Sequence, residues 1–179
     1  METLEELFKK ACSTESDINQ HVATLKEYSS FSLSGCRPVA EFGVRGGIST
    51  IGILSGLKAG YHYELMNCDT FNLDLSQRKN ILHPPYFYIG VDIQDCPNSE
   101  TMKQLANKNG IEYTFIKEDS AKVNIPEVDL LFIDSWHIYG HLKRELENNH
   151  NKVRHYIIMH DTTVDEIYGE SIRESRETV

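Results

Sequence analysis

Apolar positions along the chain follow two alternating periodicities. Leu4, Leu7, Phe8 and Ala11 recur at helical spacing and predict a short amphipathic helix over residues 2–12. A second helix is expected from Thr14, where Thr14 and Asp17 resemble a capping box and Ile18, Val22 and Leu25 share a face. Together these form an N-terminal helical segment over residues 1–35, and Ser32 to Pro38 reads as loop. The pattern then tightens. Pro38 to Val44 is a short apolar strand that passes into a glycine-rich turn and a helix from Ser49 to about Leu57, ended by Lys58-Ala59-Gly60. Residues 61–85 are irregular and long for a connection, so they read as an insertion, with a short helix around Leu75 to Leu82.

Beyond the insertion, strands and helices alternate. Tyr86 to Asp92 predicts a strand, Ser99 to Asn109 a helix stopped at Gly110, and Ile111 to Ile116 another strand. Val128 to Asp134 is an almost continuous apolar run, the pattern of a strand buried on both faces of a parallel sheet. Tyr139, Leu142 and Leu146 mark the next helix, and Tyr156 to Met159 the fifth strand. This order specifies one α/β domain with a doubly wound, mostly parallel sheet flanked by helices. At 179 residues the chain supports one such core.

Charge narrows the ligand. Eighteen Lys and Arg against 27 Asp and Glu give a net charge of -9, which disfavours a nucleic-acid partner, whose phosphates need a basic surface. No apolar run reaches membrane-spanning length, so no membrane partner is expected. Cys12, Cys36, Cys68 and Cys96 contain no C-x-x-C pair and read as free thiols of a reducing, cytoplasmic compartment.

The acids are placed non-randomly. Glu41, Asp92, Asp119, Asp134 and Asp161 each fall at or just past the C-terminal end of a predicted strand, and in an open α/β sheet those ends line the ligand crevice. Any one of them alone is more often a turn or helix cap. Five at one rim repel one another and point to a site. Glu41-x-Gly43-x-x-Gly46-Gly47 overlaps the dinucleotide fingerprint G-x-G-x-x-G without matching it. An acid before the first glycine repels a pyrophosphate and suits a cofactor with a cationic amino-acid moiety. That disfavours a nicotinamide-dependent oxidoreductase.

The glycine turn after Glu41, Asp92 closing the second strand and Asp119-Ser120 after the third resemble class I S-adenosylmethionine-dependent methyltransferases, which have a Rossmann-like fold. The resemblance implies that Glu41, Gly43, Arg45, Gly46, Gly47, Ser49 and Thr50 hold the methionine part. It also implies that Asp92 binds the ribose hydroxyls, that Asp119 and Ser120 face the adenine, and that Asp134 borders the cofactor. Ile133-Asp134-Ser135-Trp136-His137 with Met159-His160-Asp161-Thr162 is similar, more narrowly, to metal-dependent sugar O-methyltransferases and the cephalosporin-hydroxylase-like group. That likeness implies Mg²⁺ or Mn²⁺ on Asp134, His160 and Asp161, His137 as general base, and a small-molecule or glycan acceptor. It departs at His160, where the sugar enzymes carry Glu; a histidine there softens the site toward Mn²⁺, Fe²⁺ or Zn²⁺.

Plainer roles stand beside these. His137 also suits a helix cap, and His141 a structural or solvent-facing position. Lys143, Arg144 and Glu145 read as a solvated helix face, and Trp136 and Tyr139 either stack on a ligand or pack. His160-Asp161 also suggests a metal-dependent phosphohydrolase, but no helical His and Asp partners accompany it. A non-catalytic cofactor- or glycan-binding module is the competing class of function. The polar tail from Asp165 lacks the strands that usually finish such a sheet. The chain is therefore expected to be cut from a longer protein, one fused to further domains such as a glycosyltransferase.

Overall fold

A computed structural model describes residues 2–31, 38–70 and 86–162. Helix α1 (Leu4–Ser13) begins at a capping box in which Thr3 and Glu6 satisfy each other's backbone and side chain. The expected second box is absent. Thr14 instead closes α1, its N–H and hydroxyl both donating to the Lys10 carbonyl. The next helix starts later, as a 3-10 turn over Asn19–His21 that runs into α2 (Val22–Ser30).

Five strands follow: β1 (Val39–Phe42), β2 (Tyr86–Asp92), β3 (Ile111–Lys117), β4 (Val128–Ile133) and β5 (Val153–Met159). They form one sheet in the order β3-β2-β1-β4-β5, parallel throughout. The helices between them are α3 (Ile48–Thr70), α4 (Ser99–Lys108) and α5 (Tyr139–Asn149). The doubly wound α/β architecture expected from the apolar pattern is the one observed. The expected stop at Lys58-Ala59-Gly60 fails, because α3 continues through it to Thr70. A lone glycine costs a helix only about 1 kcal/mol, which neighbouring turns absorb. The start of the expected insertion is therefore helical. Its remainder, with the expected helix at 75–82, lies outside the described residues, as does the tail from residue 163.

The sheet separates two apolar cores according to the pleat. Val39, Leu130 and Phe132 point to the side of α1–α4, where they meet Leu25, Ile53, Leu54, Leu57 and Leu105. Ala40, Phe42, Leu131 and Ile133 point to the other side, against Val123, Ile125 and the half-buried Leu142 and Leu146 of α5. Central β1 and β4 are buried along their whole length, which is why β4 reads as a continuous apolar run.

Past the last rungs of the ladder, four backbone hydrogen bonds keep the strand ends level. Gly43 N donates to Val91 O (2.9 Å), Asp134 N to Phe42 O (2.8 Å), His160 N to Ile133 O (2.9 Å) and Glu118 N to Asp92 O (3.0 Å). The residues just beyond the strands therefore share one rim. Among the described residues, no helix is long and apolar enough to cross a membrane.

α3 crosses α2 through Gly52 and Gly56. A Cβ on Gly56 would overlap the Lys26 carbonyl oxygen and come within 2.7 Å of Ser29 Cβ. Gly56→Ala is expected to destabilise the fold by about 1–3 kcal/mol, although Ala is the better helix former. Urea unfolding reads this, and an unchanged midpoint would mean the helices do not approach so closely.

Candidate functional site

The rim opens on a cavity of about 390 Å³. Of the residues singled out from sequence, Gly43, Arg45, Asp92, Asp119, Ser120, Asp134 and His137 line it. Gly43 has to be glycine: its φ is +90°, and a Cβ would overlap the Asp134 backbone carbonyl. Arg45 holds a left-handed φ of +46°, which aims its N–H at Asp92 Oδ2 (2.9 Å). Gln94 N donates to the other oxygen at 2.9 Å, so the Asp92 carboxylate is fixed from both sides while facing the cavity. The Arg45 guanidinium turns outward to Asp17 (3.0 Å), tying the N-terminal segment to the turn through an exposed pair worth under about 1 kcal/mol.

Glu41 is placed differently from the expectation. Glycine-turn acids were expected to meet the ligand, but the pleat points Glu41 to the α3 side, together with Val39. There it is fully buried and is absent from the cavity lining, as are Gly46, Gly47, Ser49 and Thr50. Ser49 and Tyr88 donate short hydrogen bonds to Glu41, and Thr50 donates at 2.8 Å. Two of these donors stand in the first turn of α3, whose N-terminal dipole also favours a carboxylate. Burial nonetheless dominates: it pushes the Glu41 pKa from 4.5 up to about 7, against the three hydrogen bonds, and the Asp134 carboxylate adds to the rise.

Asp119 has the opposite character. Burial pushes its carboxyl up, but hydrogen bonds from Lys122 and the Ala121 N–H, with the Lys122 charge, outweigh that and hold it below its usual value. Behind the cavity the Cys96 thiol is pushed up to about 12 by burial and by the nearby Asp92 carboxylate, which leaves it a thiol rather than a nucleophile.

At the end of β4 and β5 four side chains converge. His137 Nε2 lies 3.1 Å from Asp134 Oδ1, and its Nδ1 lies 3.1 Å from Asp161 Oδ2. His160 Nδ1 lies 3.2 Å from an oxygen of each of the same two acids. One ligand atom from each of Asp134, His137, His160 and Asp161 falls within 4.8 Å of the other three. Asp161 reaches inward because it adopts φ +53°, a conformation Asp tolerates better than most residues. The donor set fits a divalent ion. His160 Nδ1 is buried and forms no hydrogen bond of acceptable geometry, although two carboxylates face it, as an atom meant for a cation would.

His137 precedes α5 without capping it, because Ile138 is the N-cap residue and has no side-chain bond. Both its ring nitrogens are held by carboxylates. A base role requires it to give up one of those contacts.

A second cavity, of about 340 Å³, lies on the far side of this cluster between α2 and the end of β5. Leu25, Phe132, Ile158 and Met159 give it apolar walls, and His160 and Asp161 belong to it while Asp134 and His137 belong to the first.

The first cavity also contains Ile93, Ser135 and His141, which the sequence did not single out as a site, and Trp136, read as stacking on a ligand or packing, lines it at 53% exposure. Glu145, read as part of a solvated face, is fully buried. His141, Glu145 and Asn149 recur every fourth residue and form the buried stripe of α5. That spacing was the available signal.

No family model matches this sequence, and no curated protein matches it. Among solved structures the fold is similar to the plantazolicin methyltransferase BpumL in complex with SAH, at 13% sequence identity and a TM-score of 0.42. The match covers 87% of this chain and 51% of that one, so the chain spans about half the length of that protein.

A carboxyl that keeps its proton to about pH 7 when folded and loses it near 4.5 when unfolded stabilises the fold most below pH 4.5. That contribution is lost as pH rises through 7. Relative to Glu41→Gln, the wild type is expected to lose on the order of 3 kcal/mol between pH 4.5 and 8. Denaturant melts of both proteins across that range read the difference. A pH-independent gap would contradict the raised pKa.

Proposed function

We propose that this domain transfers the methyl group of S-adenosylmethionine to a hydroxyl of a sugar or similar polyol. A divalent ion on Asp134, His160 and Asp161 assists, and His137 acts as general base. The observation that carries the reading is the Asp92 carboxylate. Its oxygens are immobilised by the Arg45 and Gln94 N–H groups and still have lone pairs for the two hydroxyls of a ribose. From there the cavity leads along Asp119 and Ser120 on one side and to Asp134 and His137 on the other. One pocket thus offers a diol clamp, a place for a base and a cation-attracting acidic end.

The second cavity suits the acceptor. Its apolar wall takes the carbon face of a ring, and its inner end presents Asp161 and His160. A divalent ion held by Asp134, His160 and Asp161 would lower the pKa of an acceptor hydroxyl. Two carboxylates with one imidazole would favour Mn²⁺, Fe²⁺ or Zn²⁺ over Mg²⁺. Asp134 and Asp161 hold His137 by its two nitrogens, and as general base His137 would give up one of these contacts to take the proton of the acceptor hydroxyl. A cavity on either side of the cluster would place donor and acceptor across it.

Calorimetry with S-adenosylhomocysteine and with NAD tests the ligand, and only the first is expected to bind. Methyl transfer from S-adenosylmethionine to a panel of monosaccharides, with Mn²⁺ or with EDTA, tests the chemistry. His137→Ala is expected to slow turnover by roughly 10²–10⁴ while S-adenosylhomocysteine affinity stays within about twofold. Equal loss of both would sink the base assignment.

A further inference from the structure

Buried Glu145 has no part in the chemistry above, yet it joins both ends of the first cavity. Its Oε1 accepts from Ser135 Oγ at 2.6 Å and lies 3.2 Å from His141 Nε2. Ser120 Oγ lies 3.0 Å from the same Nε2. Both contacts fall on one ring nitrogen. A nucleophilic serine relay needs them on opposite nitrogens, so this is not one.

The hydrogen positions follow from the donor inventory. A carboxylate only accepts, so the nitrogen facing Glu145 carries its hydrogen; a bare Nε2 would set lone pair against lone pair. His141 Nε2–H is then shared between Glu145 Oε1 and Ser120 Oγ. Ser120 accepts from His141 and keeps its own hydrogen for another partner. Ser120 is 7% exposed, it lines the first cavity, and among the described residues its hydroxyl has no hydrogen-bond contact besides His141. Asp119, which also lines the cavity, offers an acceptor beside this donor. An acceptor next to a donor matches the exocyclic amine next to the ring nitrogen N1 of adenine. It mismatches hypoxanthine, which has an oxygen and an N1–H at those positions.

We propose that Glu145 and His141 are positioning residues that fix the Ser120 hydroxyl as a hydrogen-bond donor, making the cavity select adenine over hypoxanthine at the N1 edge. This rests on reading the cavity as the methyl-donor site. A site built to hydrogen-bond one partner rejects an analogue with the opposite polarity because buried groups are left unpaired.

The test is calorimetry of the whole chain with S-adenosylhomocysteine and with S-inosylhomocysteine. The wild type is expected to prefer the adenosyl compound by at least about tenfold. Ser120→Ala is expected to bring the two affinities within about threefold, and Ser120→Thr, which keeps the hydroxyl, to restore the preference. His141→Phe, checked for folding by circular dichroism, is expected to lower the ratio as Ser120→Ala does. An unchanged ratio in Ser120→Ala, or no preference in the wild type, overturns this inference and leaves the methyl-donor reading standing. Failure of the wild type to bind S-adenosylhomocysteine removes both. Independently of any ligand, ¹⁵N NMR of His141 is expected to show the proton on Nε2, and a proton on Nδ1 alone overturns the inference.

Discussion

The site depends on one constraint: parallel strands whose ends are kept level by backbone hydrogen bonds beyond the ladder itself. Because Gly43 bonds to Val91, Asp134 to Phe42 and His160 to Ile133, residues separated by more than a hundred positions in sequence share one rim. A parallel sheet gives its backbone no other way to stop, since every strand must turn away at the same edge toward its crossover. The turns are therefore crowded against one another. Gly43 is the consequence, since a side chain there would enter the Asp134 carbonyl. The left-handed conformations of Arg45 and Asp161 are a second consequence, as local strain is tolerated where a surrounding framework fixes the backbone.

Much of this was legible because the sheet is buried. Apolar runs ending in acids fix the strand order class and the rim, and Asp92, Asp119, Asp134 and Asp161 are where that pattern puts them. Glu41 shows the limit. It shares the pattern, but the pleat sends alternate residues to opposite faces, and a four-residue strand gives too little sequence to tell which face its last acid takes. The stop at Gly60 failed for a related reason: local breakers are weak against a helix supported by the core on several sides. Thr14 looked like a helix start and serves as a helix end, because a hydroxyl near free backbone groups suits either terminus.

α5 is the clearest case of misdirection. Hydrophobic spacing picks Tyr139, Leu142 and Leu146, and of these the two leucines are only half-buried while Tyr139 is 69% exposed. The deeply buried stripe is His141, Glu145 and Asn149. Reading inward-facing positions from hydrophobicity fails where the facing segment carries polar backbone to be satisfied. The connection from β3 to β4 is such a segment. Asn149 accepts from Ile125 N and donates to Val123 O at 3.2 Å each, and Asn148 donates to Ala121 O at 2.6 Å. A helix lying on an irregular loop must offer hydrogen bonds, and the burial of Asn149 is then favourable only because both ends of its amide are paired.

That requirement explains why α5 can serve the site as well as the fold. Asn148 and Asn149 hold the loop that follows Asp119 and Ser120. One turn earlier, Glu145 reaches Ser135, which is next to Asp134, while His141 reaches Ser120. The same helix face thus fixes the positions of the residues after β3 and of those after β4, the two sides of the first cavity. The other half of the four-side-chain cluster follows β5: His160 and Asp161 are tied to the end of β4 by the His160 backbone and by their side chains against Asp134 and His137. α5 therefore sets two sides of the first cavity, while the turns after β1 and β2 set the Gly43, Arg45 and Asp92 side and the sheet edge sets the second cavity behind the cluster.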